Sequence, residues 1–155
     1  MTVKVTQPAI NLREKISELE TKKPLGYVPA FLVSSTNTYT ATTGAQAMGA
    51  WFDNTITLNA GGHFKNGKFT APVSGIYHFT VKASMSYNSG YAYLYIYRNA
   101  GGIDGVYTQW FQTSNTVSVS ASVYANAGDE FEPYIQTNYS GGSMSQGMFS
   151  GHYVG

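Results

Sequence analysis

Cysteine is absent from the 155-residue chain, which excludes a disulfide scaffold, thiolate catalysis and thiolate zinc sites together. Charge is scarce as well. Only 11% of residues are Asp, Glu, Lys or Arg and the formal net charge is +1, so no global field recruits nucleic acid or an anionic membrane. No apolar run approaches the ~20 residues that a membrane-crossing helix needs. No signal peptide is expected either, because Met1 is followed by Thr2, Val3, Lys4 and further polar residues rather than an apolar stretch. A nucleophile elbow and a Gly-Lys-Ser/Thr phosphate loop are both missing.

What is present is aromatic and glycine-rich. Thirteen tyrosines and seventeen glycines suit many short strands joined by tight turns and suit long helices poorly. In Phe64-Lys65-Asn66-Gly67-Lys68-Phe69 two strand-forming arms flank a dipeptide that accepts positive φ at both central positions, which is what a two-residue hairpin turn requires. Pro72 and Gly75 then break one strand from the next. The strand that follows places Ile76, His78, Thr80 and Lys82 on one face and Tyr77, Phe79, Val81 and Ala83 on the other. Further on, Tyr91, Tyr93, Tyr95 and Tyr97 alternate with Ala92, Leu94, Ile96 and Arg98. Leu94 and Ile96 are expected in the core. The tyrosines then face a neighbouring subunit or the outside, where they could stack on sugar rings, and Tyr107 and Trp110 would extend that platform.

These residues also carry a family resemblance. Trp51-Phe52-Asp53, Leu58-Asn59, Gly62, Phe64, Gly67, Phe69, Ala71-Pro72, Gly75, Tyr77 and Phe79 form an ordered series, continued by Leu94, Asn99, Gly128-Asp129 and Phe149-Ser150-Gly151. The series resembles the globular domain of the complement C1q family, a relative of the tumour necrosis factor fold, over residues 30–155. The resemblance implies an all-β, ten-stranded jelly-roll sandwich assembled as a homotrimer. A cysteine-free β-domain can gain stability by such assembly.

Ahead of that domain the sequence reads as an anchoring segment (1–24) and a stiff linker (25–29). Asn11 and Glu14 form a capping pair. Leu12, Ile16 and Leu19 then lie on one stripe of a short N-terminal α-helix of about 12 residues, too short to stand alone in water. Its partner is the β-domain, two sister helices about a threefold axis, or another protein. Val3, Val5 and Ile10 join that set as candidate anchoring residues. Val3-Lys4-Val5-Thr6-Gln7-Pro8 with Asn11-Leu12-Arg13-Glu14 resembles the leading segment of structural proteins from tailed phages of marine bacteria.

Candidates for chemistry are few. His63, His78 and His152 fall on separate strands or turns without local metal-ligand spacing, and read as surface or core-edge residues. Asp129, Glu130 and Glu132 are the only acidic cluster; as hard oxygen ligands they could hold Ca²⁺, although such a site usually takes six or more oxygens and a solvated turn is the plainer reading. No other cofactor is expected. The function expected is a non-enzymatic bacteriophage virion protein, a trimeric fibre, knob or capsid-decoration subunit. Its partners would be itself, other virion proteins and host glycans, with no nucleic acid and no membrane insertion. The alternatives are a secreted or spore-surface C1q-like module of a cell and, third, a surface polysaccharide hydrolase.

Overall fold

The structure, a computed structural model, describes residues 26–52, 55–86, 90–111, 115–138 and 142–155, with the backbone alone at 102–111 and 115. The expected N-terminal helix, with Val3, Val5, Ile10, Leu12, Ile16 and Leu19, lies outside the described residues.

Two six-stranded antiparallel sheets face each other. The first contains β1 (Ala30–Ser35), β4 (Thr55–Ala60), β7 (Gly75–Ser86), β10 (Asn115–Ala125) and β12 (Gly142–Tyr153) in the order β10-β7-β12-β1-β4, with β2 (Tyr39–Ala41) on the end of β12. The second contains β5 (Phe64–Lys65), β6 (Lys68–Thr70), β8 (Gly90–Arg98), β9 (Gly102–Phe111) and β11 (Glu130–Thr137) in the order β5-β6-β11-β8-β9, with β3 (Gly44–Ala47) on β11. This is the jelly roll that the sequence implied. It has twelve strands among the described residues where ten were expected. The surplus is β2 and β3, off the main path of both sheets. Their small and polar residues carry no strand pattern of their own, and pairing with β12 and β11 imposes it.

Strand alternation decides the core. On β7, Tyr77, Phe79, Val81, Ala83 and Met85 are buried while Ile76 and Lys82 are exposed, the two faces expected from the sequence. Reading across the first sheet in register, Phe79, Gly151 and Phe31 stand side by side, as do Val81, Phe149 and Val33. Phe79 stacks on Phe131 of the opposite sheet at 4.4 Å between ring centroids, and Phe31 stacks on Phe69 at 4.8 Å. Interleaved rings of this kind contribute beyond their buried area. Gly151 is required by the two rings beside it: a Cβ there would stand 2.4 Å from Phe79 Cδ1 and 2.6 Å from Phe31 Cε1.

Trp51 and Phe52 are buried on a single helical turn, α1 (Gly49–Phe52), rather than on a strand. They close one side of the sandwich, and the Trp51 indole N–H donates to the Asn37 carbonyl at 2.8 Å. The hairpin turn between β5 and β6 has Asn66 at φ +52° and Gly67 at φ +78°, as expected. Gly67 also lies against the backbone of Gly49, so that a Cβ would meet the Gly49 carbonyl carbon at 2.2 Å. Pro133 is tolerated within β11 because residues 132 and 133 fall in the gap between the stretch paired with β6 and the stretch paired with β3.

Candidate functional site

With the cores of both sheets turned inward, the two outward faces are left for function, and they differ in chemistry. The outward face of the second sheet carries the tyrosine row. Leu94 and Ile96 are buried, while Tyr91, Tyr93 and Tyr97 are half-buried and Tyr95 more deeply covered. The rings touch in succession, Tyr91 to Tyr93 at 5.1 Å, Tyr93 to Tyr95 at 5.9 Å and Tyr95 to Tyr97 at 5.6 Å. Tyr134 of β11 then packs edge-on against Tyr97 at 4.2 Å. Sequence reasoning missed Tyr134, because only strand pairing brings it beside the row; its alternation with buried Ile135 was the available signal.

The polar ends of this stripe are tuned by burial. Tyr95 donates to Gln136 Oε1 at 3.0 Å, and burial, with the neighbouring tyrosines adding to it, holds its phenol above the ordinary range. Burial likewise raises Tyr134, reinforced by Glu132. Glu132 stands opposite Tyr97. Burial raises its pKa, while Lys68 and the Gly49 amide pull it back. The result is an aromatic strip ending in a half-buried carboxylate, able to stack on apolar ring faces and to accept hydrogen bonds from hydroxyl groups. By backbone register Trp110 pairs with Tyr91, a member of the row, whereas Tyr107 pairs with Leu94, which is not.

The outward face of the first sheet has a different character. Its central row runs Ser120, Thr80, Ser150, Leu32 and Leu58 across five strands, with Thr80 and Ser120 hydroxyls 2.8 Å apart. A second row runs Ser118, Lys82, Met148 and Ser34. Lys82 is the single formally charged residue in these rows. Exposed apolar side chains lie on the same face, Ile76 (44%) and Tyr124 (60%) on β7 and β10 beside the rows and Leu58 (47%) at the β4 end of the central row. Small hydroxyls permit close approach, and depletion of charge marks surfaces that become buried.

The acidic cluster is built into turns. Asp129 accepts from the Asn99 side-chain amide at 2.9 Å and from the Asn126 backbone amide at 2.9 Å. With Arg98 nearby, at 3.8 Å, these bonds hold its carboxyl below the usual range, the Asn99 bond most of all. Glu130 pairs with Lys68 at 3.2 Å across β6 and β11. Among the described residues no group of three or more His, Cys, Asp or Glu converges as a metal site. His63 lies by the linker, where its Nε2 is 2.5 Å from the Tyr27 hydroxyl; burial, then Lys65, lowers its pKa. His78 and His152, far apart in sequence, are cross-strand neighbours on β7 and β12.

The strand order, the hairpin, the Gly128-Asp129 turn and the closing Phe149-Ser150-Gly151 together make a C1q-type jelly-roll sandwich. The family profile described as the C1q domain matches residues 30–154. The chain belongs to the C1q-domain family. Among solved structures it is similar to the globular domain of zebrafish complement 1qA protein, with a TM-score of 0.59 and 22% identity over 82% of this chain and 98% of that one. No curated protein sequence matches the chain.

Proposed function

We propose that this C1q domain works as a non-enzymatic homotrimer, a bacteriophage virion subunit anchored by its N-terminal segment and displaying its tyrosine face for adhesion. The observation that carries self-association is the outward face of the first sheet, charge-poor, lined with small hydroxyls and bearing exposed Ile76, Tyr124 and Leu58. Threefold closure buries such a face without leaving an open edge for further growth. It also turns three copies of the opposite, tyrosine-bearing face outward, so weak single contacts with a glycan-covered surface become multivalent. The virion assignment is supported by the resemblance of residues 3–14 to leading segments of phage structural proteins.

Light scattering on the full chain tests the first part. A trimer is expected, and Ser150→Asp, placing a charge in the central row, should give a folded monomer. A wild-type species that stays at 16.8 kDa at micromolar concentration overturns the self-association reading. Removal of residues 1–24 should leave a β-rich domain that no longer joins particles; continued incorporation of the truncated chain would sink the anchoring role. Glycan arrays report the adhesive face, where Tyr93→Ser should lower binding.

A further inference from the structure

We infer that His78 and His152 form a two-imidazole site for a divalent transition-metal ion on the outward face of the first sheet. The two residues are register partners on adjacent strands, and their rings stand 5.7 Å apart between centroids at an interplanar angle of 50°. A zinc ion bonded to imidazole nitrogen at 2.0–2.1 Å lies about 3.2 Å from each ring centroid, so two rings at a tetrahedral angle stand about 5.2 Å apart. The observed separation of 5.7 Å is within about half an ångström of that value.

The surroundings fit. His78 Nδ1 is 2.9 Å from Ser122 Oγ, and a proton on that nitrogen leaves Nε2, with only a long 3.5 Å contact to Thr80 Oγ1, to coordinate. A hydrogen bond at the far nitrogen is how ligating histidines are oriented. The row across the sheet reads Ser122, His78, His152, Ala30 and Ala60, with no cation to repel the ion. Without thiolate or carboxylate in that row, imidazole chemistry favours zinc, nickel or copper over calcium and magnesium. The two protein ligands come from one chain; the open positions point off the sheet, to water or, if the self-association reading holds, toward sister chains.

The test is titration of chelator-treated full-length protein with ZnCl₂ at neutral pH by calorimetry, with light scattering on the same samples. One zinc per chain pair of histidines is expected, with His78→Ala and His152→Ala each weakening binding at least about tenfold, and His63→Ala and added Ca²⁺ leaving it unchanged. Ser122→Ala should weaken binding by about tenfold or less. Electron spin echo spectra of bound Cu²⁺ should show two coordinated imidazoles in the wild type and one in each ligand variant. Zinc binding that is absent from the wild type, or that either histidine variant leaves at the wild-type level, overturns the site. Because light scattering reads the oligomer directly, a missing trimer and a missing metal site are separately visible.

Discussion

Replacing Phe79 with Ala tests the packing logic most directly, because the ring is fully buried and touches both sheets. It stacks on Phe131 at 4.4 Å and also meets Phe69 at 5.7 Å, Tyr77 at 6.1 Å and Phe149 at 6.3 Å. Truncation removes its transfer free energy and leaves a cavity walled by rings that β-strands hold in place, so the loss should be about 3–5 kcal/mol. For a domain of this size that is a fall in Tm of roughly 6–20 °C, measured at equal protein concentration because an assembling protein melts later when concentrated. Gly151→Ala supplies the second arm. Its new methyl would lie 2.4 Å from Phe79 Cδ1 and 2.6 Å from Phe31 Cε1, about 1 Å inside ordinary contact, and such overpacking costs about 1–3 kcal/mol. In the Phe79→Ala background one of those clashes is gone and the methyl enters the cavity, so Gly151→Ala should then cost much less. Denaturant melts of the four proteins close the cycle. Additive losses, or a Phe79→Ala variant within about 0.5 kcal/mol of wild type, would refute the register that puts Phe79, Gly151 and Phe31 in one row.

Gly67→Val should be clearly destabilising in thermal melts, since φ is +78° and a Cβ would meet Gly49 backbone at 2.2 Å, while Lys65→Ala on the neighbouring exposed position should stay within about 0.5 kcal/mol. Ala100 stands at φ +58° in the turn after β8, a conformation costing an L-residue about 1–2 kcal/mol, so Ala100→Gly should raise the denaturant midpoint despite its greater unfolded-state entropy. Asp129 has its pKa lowered from 3.8, mainly by Asn99; its contribution is full above 3.8 and is lost as pH falls through the lower folded value. Glu132, raised from 4.5 by burial, works in the opposite sense, its penalty present above the raised value and relieved in acid. Asp129→Asn should therefore shrink the acid-side loss of stability, and Glu132→Gln should steepen it, in melts followed from neutral pH downward.

Local patterns set much of the fold. The Asn66-Gly67 turn, the alternation along β7 and the tyrosine–aliphatic alternation of β8 each follow from backbone sterics and a two-residue side-chain period, which act within a few residues. The inward place of Phe79, Leu94 and Ile96 and the outward place of the tyrosines were therefore legible in order. The strands β2 and β3 and the helical turn under Trp51 were not, because their form is imposed by neighbours remote in the chain. Only the tertiary structure decided which outward face adjoins which. Register between β8 and β11 brings Tyr134 to the tyrosine row, and register between β7 and β12 sets His78 beside His152. It also gathered the serines and threonines of β7, β10 and β12 into one charge-poor surface. Strand pairing is a long-range choice, made by which faces bury best against each other, and no spacing within a single strand records it.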